Sequence, residues 1–122
     1  MNKKKSNIIR DKSFAFALRI VQLYKYLIKK NEYVLSKQLL RSATSVGAMV
    51  RESVHAESTA DFIHKMAIAQ KESNESGYWL ELLYQADYLT QEEYTSIIKD
   101  NEELNKILAS IIITSKEKDA KR

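Results

Sequence analysis

The sequence predicts a single all-α domain, an up-down-up-down antiparallel four-helix bundle, on three observations. The 122 residues include only two glycines and no proline. Apolar residues recur at alternating spacings of three and four along four long segments. Only a few residues separate one segment from the next. Glycine and proline interrupt helices most strongly, and their scarcity beside 44% hydrophobic and 30% charged residues favours helix over any turn-rich or β architecture. A chain of this length supports one core, so 1–122 is read as one domain.

The first helix is expected over 11–30, where Phe14, Leu18, Val21 and Ile28 form one stripe and Ala17, Ile20, Tyr24 and Leu27 lie beside it. The second, 36–56, carries Leu35, Leu39, Ser42, Val46, Met49 and Ser53 on one seam, with Leu40, Ala43, Gly47, Val50 and Val54 adjacent. Ser58-Thr59-Ala60-Asp61 then offers a hydroxyl cap with an acid three positions on, and opens a third helix over 59–87. That helix sets Phe62, Met66, Ala69, Ser73, Ser76, Leu80 and Leu83 in one seam and Ile68, Glu72, Glu75, Trp79, Leu82 and Ala86 on another face, both partly buried. Thr90-Gln91-Glu92-Glu93 matches a capping box and starts a fourth helix, 91–116, with Tyr94, Ile97, Asn101, Leu104, Leu108 and Ile111 in line. Met1 to Arg10 and Glu117 to Arg122 are charged ends expected to fray. Connections as short as Asn31–Leu35, Ala56–Ser58 and Tyr88–Leu89 make consecutive helices antiparallel neighbours.

Small residues gather at the centres of the second and third helices: Ser42, Ala43, Gly47, Ala69, Ser73, Ser76 and Gly77. A mid-helix glycine costs about 1 kcal/mol relative to alanine, so tight packing is expected at both Gly47 and Gly77, with Trp79 an obvious filler. Charge is uneven along the chain: residues 1–30 hold nine Lys and Arg against one acid, and residues 56–89 two against six. Either the basic first helix pairs with the acidic third, within a bundle or between subunits, or it attracts a polyanion.

Several function classes are disfavoured. There is no cysteine, hence no disulfide framework, thiolate nucleophile or Cys-ligated metal. No secretory h-region and no apolar run of roughly 18 to 20 residues is visible, so a cytoplasmic protein is expected. No glycine-rich phosphate loop and no Ser-His-Asp arrangement on a rigid turn is present, and no cofactor is expected. Glu52-x-x-His55 and Asp61-x-x-His64, with Glu72 and Glu75, suggest a carboxylate–histidine metal bundle. Against it, Glu72 lies about 12 Å along the helix from His64, and the first and fourth helices offer no matching inward acids. Glu52 and Glu75 are read instead as buried or interfacial acids paired with Arg41, Arg51 or their neighbours.

Three stretches carry a resemblance: Leu39-Leu40-Arg41-Ser42-Ala43-Thr44-Ser45-Val46-Gly47-Ala48, then Asp61-Phe62-Ile63-His64-Lys65-Met66-Ala67-Ile68-Ala69, then Lys71-Glu72-Ser73-Asn74-Glu75-Ser76 followed by Tyr78-Trp79-Leu80-Glu81-Leu82-Leu83. In this order and spacing the chain resembles, over nearly its whole length, the bacterial four-helix bundle proteins encoded in intervening sequences of large-subunit ribosomal RNA genes. More distantly it is similar to accessory variability proteins of retroelements. It departs from the family pattern at Met49, where asparagine is usual, and at Ser53, where a residue such as glycine is common. The resemblance implies a protomer assembling as a homopentameric ring, in a family with no established catalytic activity, and in the retroelement relatives a basic surface that meets nucleic acid.

The residues agree with self-association, because a third helix apolar on more than one face cannot bury all of it within one bundle. Tyr78, Trp79 and Leu82 are interface candidates, with Gly47, Glu52, Glu72 and Glu75 at the interface or in the core. Lys3, Lys4, Lys5, Arg10, Lys12, Arg19, Lys25, Lys29 and Lys30 are the candidate nucleic-acid-binding residues, their contacts expected to fall on phosphates. The expected function is a non-enzymatic homo-oligomeric scaffold for RNA or a ribonucleoprotein partner. A protein-interaction module without nucleic acid is the alternative.

Overall fold

The computed structural model describes residues 3–121 and contains four helices, α1 (Lys3–Lys29), α2 (Leu35–Ser53), α3 (Thr59–Gln85) and α4 (Gln91–Ala120), with no strand among those residues. Met1, Asn2 and Arg122 of the expected frayed ends lie outside the described residues. Packing joins α1 to α2, α2 to α3, α3 to α4 and α4 back to α1, so one core is shared by all four helices.

Each junction is held by local chemistry. At the end of α1 the amide of Glu32 donates to the Leu27 carbonyl and that of Asn31 to the Ile28 carbonyl, both at 3.0 Å, with Asn31 in the left-handed region at φ 65°. The end of α3 repeats this arrangement: Tyr88 donates to Leu83 and Asp87 to Tyr84, with Asp87 at φ 68°. Both are Schellman turns, closed here by Asn and Asp where glycine is commoner. Between α2 and α3, Ser58 Oγ accepts from the Asp61 amide at 3.0 Å, and the Asp61 carboxylate accepts from the Glu57 amide at 3.1 Å. Thr90 and Glu93 form the reciprocal capping box at the start of α4.

The connection into α2 uses a device not anticipated from the sequence. Glu32, only 6% exposed, turns its carboxylate onto the amides of Val34, Leu35 and Ser36, and Ser36 Oγ donates back to the Glu32 carbonyl. Burial pushes this carboxyl up, but the amides of Ser36, Val34 and Leu35 outweigh it and hold it below the usual carboxylate range. The side chain thus caps α2 from outside the helix, meeting donors that a helix start leaves unpaired.

The seams of α2, α3 and α4 follow the predicted spacing. Buried positions on α2 are Leu39, Ser42, Val46 and Ser53, joined by Ala43 and Val50 from beside the seam, while the expected Leu35 and Met49 are half-buried. On α3 they are Met66 through Leu83 at steps of three and four, and on α4 Ile97, Asn101, Leu104, Leu108 and Ile111. In α1 the structure differs. The helix starts at Lys3 rather than near Asp11, which draws Ile9 into the core and extends a buried seam through Ser13, Phe16, Ile20 and Leu27. Phe14 and Leu18, expected inside, are 56% and 53% exposed. They stand two residues from Phe16 and Ile20, about 200° round the helix. The seam containing Ile9 is the longer one, and burying it removes more apolar surface from water.

A polar layer crosses the middle of the core. The Ser42 and Ser76 hydroxyls share a hydrogen bond of 2.9 Å between α2 and α3, and Asn101 Nδ2 donates to the Ser73 carbonyl at 2.7 Å between α4 and α3. The small residues noted in the sequence serve this layer unequally. A Cβ on Gly77 would lie 2.7 Å from Asn101 Oδ1, whereas one on Gly47 would meet Ser13 at an ordinary 3.6 Å. Tight packing therefore explains Gly77 and not Gly47.

Candidate functional site

Two surface features collect the candidate residues. The first is a cleft of about 450 Å³ between α2 and α3, lined on the α2 side by Arg41, Ser45, Ala48, Met49 and Glu52 and on the α3 side by Ile68, Lys71, Glu72 and Glu75. It forms because α2 carries Ser and Ala on the flank facing α3, leaving room for longer charged side chains at its rim.

Glu52, Glu72 and Glu75 thus come together, but not as paired acids: none of them makes an ion pair among the described residues. Glu52 is exposed, and Arg51 stacks over the Phe14 ring at 5.4 Å instead of meeting it. Glu75 accepts from Trp79 Nε1 at 3.3 Å. His55 and His64 are exposed and lie outside the cleft. Among the described residues no group of three or more His, Cys, Asp or Glu is disposed to hold a metal ion.

The three apolar interface candidates have different surroundings. Trp79 is half-buried and packs against the protomer's own core. Tyr78 is 59% exposed, its ring edge-on to Trp79 with centroids 5.0 Å apart. Leu82 is half-buried one turn further along. Gly47 lines a smaller cleft between α1 and α2, with Arg10, Phe14 and Arg51 at its rim.

The second feature is the basic side of α1, which the structure divides. Lys12 Nζ meets Glu103 at 2.9 Å, and Arg19 donates to Asp100 at 2.8 Å and to Ser96 Oγ at 2.7 Å. These partners lie on α4. The acidic α3 sits diagonally across the bundle, packed on α2 and α4, so the pairing of first and third helices expected from charge does not occur within the protomer. Arg10 contacts Asp11 at 3.5 Å. Lys4 is exposed, and the side chains of Lys3 and Lys5 lie outside the described residues.

At the other end of α1, Lys25 and Lys29 are exposed, and Lys30 Nζ sits 4.5 Å over the Tyr26 ring. Exposed Tyr33 follows in the turn, its hydroxyl bonded to Asn31. Sequence reasoning missed these two tyrosines as companions of the lysines. The signal was Tyr26 four residues before Lys30.

Fold and surface together define a small four-helix protein with a charged groove and a basic helix end, in which no helix among the described residues is long and apolar enough to cross a membrane. The chain belongs to the 23S rRNA-intervening sequence protein family, whose model matches residues 5–110. Its structure is similar to the crystal structure of a protein of unknown function from the S23 ribosomal protein family of Bacteroides thetaiotaomicron. That protein is 56% identical, with a TM-score of 0.87 over 88% of this chain and 97% of the other. No curated protein matches the sequence.

Proposed function

We propose that this protein is a non-enzymatic, homo-oligomeric four-helix scaffold that binds RNA or a ribonucleoprotein partner through the basic end of α1. The observation carrying this reading is that Lys25 and Lys29 stand exposed on the last turns of α1, which also carry exposed Tyr26 and lead into exposed Tyr33, while Lys12 and Arg19 are engaged by α4. Ammonium groups neutralise phosphates, and exposed aromatic faces offer stacking to unpaired bases. The family's link to an intervening sequence of ribosomal RNA supports RNA as the polyanion.

Protomer topology is read as up-down-up-down. Its support lies in registers that run in opposite senses: Lys12 with Glu103 but Arg19 with Asp100, and Ser73 with Asn101 but Tyr84 with Tyr94. Assembly as a pentameric ring follows the family resemblance and would repeat one basic end around an axis, turning a weak contact into a multivalent one.

The test is a titration of labelled structured RNA at about 50 and 200 mM salt, where contact to several phosphates weakens steeply. Salt-sensitive binding that is lost in a Lys25→Glu, Lys29→Glu, Lys30→Glu variant upholds the proposal. No binding at the lower salt rejects it in favour of a protein-interaction module, which the charged α2–α3 cleft would serve.

A further inference from the structure

Two exposed apolar patches on different helices are left unused by the fold. One is Phe14 and Leu18, successive turns of α1, with Arg10 and Arg51 at its edge, Arg10 contacting Asp11 and Arg51 making no ion pair among the described residues. The other is exposed Tyr78 with half-buried Leu82, successive turns of α3, with Glu75 and Glu81 three residues to either side of Tyr78. The patches match in length, and the edge of the first is net basic where that of the second is acidic.

We propose that they bind each other between copies: the Phe14–Leu18 face of one protomer seats the Tyr78–Leu82 face of a second. This rests on the self-assembly proposed above and names the two surfaces that perform it. Because α1 and α3 lie diagonally across the bundle, one two-fold contact cannot engage both patches; the contact is heterologous, and each copy that presents one patch keeps the other free for a third. Trp79 holds Tyr78 edge-on, and Glu75 anchors Trp79, so the protruding ring is already ordered before contact and less freedom is lost on docking. Arg51 sits over the Phe14 ring, its guanidinium carbon 5.4 Å from the centroid, where it is placed to meet an incoming carboxylate.

The experiment uses full-length protein and light scattering, with circular dichroism to verify helix content. Two blocked variants are made on these faces, Phe14→Gln with Leu18→Gln, and Tyr78→Gln with Leu82→Gln. The wild type is expected to be an oligomer and each variant alone a monomer. A one-to-one mixture of the two variants is expected to form dimers, since it restores one good contact per pair. Arg51→Glu is a milder second probe, raising the concentration needed for assembly at least about tenfold at low salt. An oligomeric wild type whose variants keep its mass, or a mixture that stays monomeric, overturns this interface and leaves self-assembly standing. A monomeric wild type removes both.

Discussion

Gly77 on α3 leaves the space that the side-chain oxygen of Asn101 on α4 occupies, since a Cβ there would lie 2.7 Å from it. Asn101 is fixed in turn by its bond to the Ser73 carbonyl, so it cannot swing aside freely. Gly77→Ala gains up to about 1 kcal/mol of helix propensity but leaves a buried amide displaced, at about 1–3 kcal/mol. A net loss is expected in urea denaturation. Gly47→Ala, with ordinary contacts around the new methyl, is expected to be neutral or stabilising by up to about 1 kcal/mol. Equal effects at the two glycines would contradict this assignment.

Glu32 makes the stability of the α1–α2 junction depend on pH. Its folded pKa lies below that of the unfolded chain, so the contribution is complete above the unfolded value, about 4.3, and disappears as pH falls through the folded value. Glu32→Ala is expected to cost about 1–2 kcal/mol at neutral pH, the range of a strong helix cap. In the variant, the part of the acid-induced stability loss due to Glu32 should vanish. An unchanged acid limb would show that another carboxylate governs it.

Trp79 and Tyr78, adjacent in sequence, should separate folding from association. Trp79→Ala removes a side chain packed on the core and is expected to cost about 2–4 kcal/mol by denaturant titration. Tyr78→Ala removes an exposed ring and should leave stability within about 0.5 kcal/mol of wild type. On the proposed interface, its effect is expected in the mass of the assembly measured by light scattering.

The basic residues of α1 should likewise divide into two groups. Reversing Lys12 or Arg19 breaks ion pairs with α4 and should lower stability by up to about 1 kcal/mol, because both pairs are solvent-exposed. Reversing Lys25 and Lys29 should leave the melting temperature unchanged and flatten the salt dependence of RNA binding. A loss of RNA affinity only in the first group would move the binding surface to the other end of α1.

The contrast between α1 and the other helices shows what a sequence discloses. In α3 and α4 the buried seams, Met66 to Leu83 and Ile97 to Ile111, are the ones the three-four spacing marks, and each is fixed at its start by a side-chain cap. In α1, Phe14, Phe16, Ala17, Leu18, Ile20 and Val21 supply apolar residues in every register, and only the extension back to Ile9 selects among them. The capping residues Ser58, Asp61, Thr90 and Glu93 were legible because their bonds are local. Glu32 was not, since a carboxylate in a short connection looks solvated until the chain around it closes. At the candidate sites, the three glutamates were recognised by type. Their shared cleft was not, because it depends on how α2 and α3 lie against each other.

The polar layer at the centre of the core acts as an index mark between helices. Leucines along a seam are nearly interchangeable, and two such helices slid past each other by seven residues would still bury apolar surface. Asn101 is not interchangeable with Leu104 or Leu108, and only one axial setting brings its amide to the Ser73 carbonyl and its oxygen to the gap at Gly77. Any slipped arrangement strands that amide in hydrocarbon, so the chain discards near-miss bundles even where their packing is almost as good.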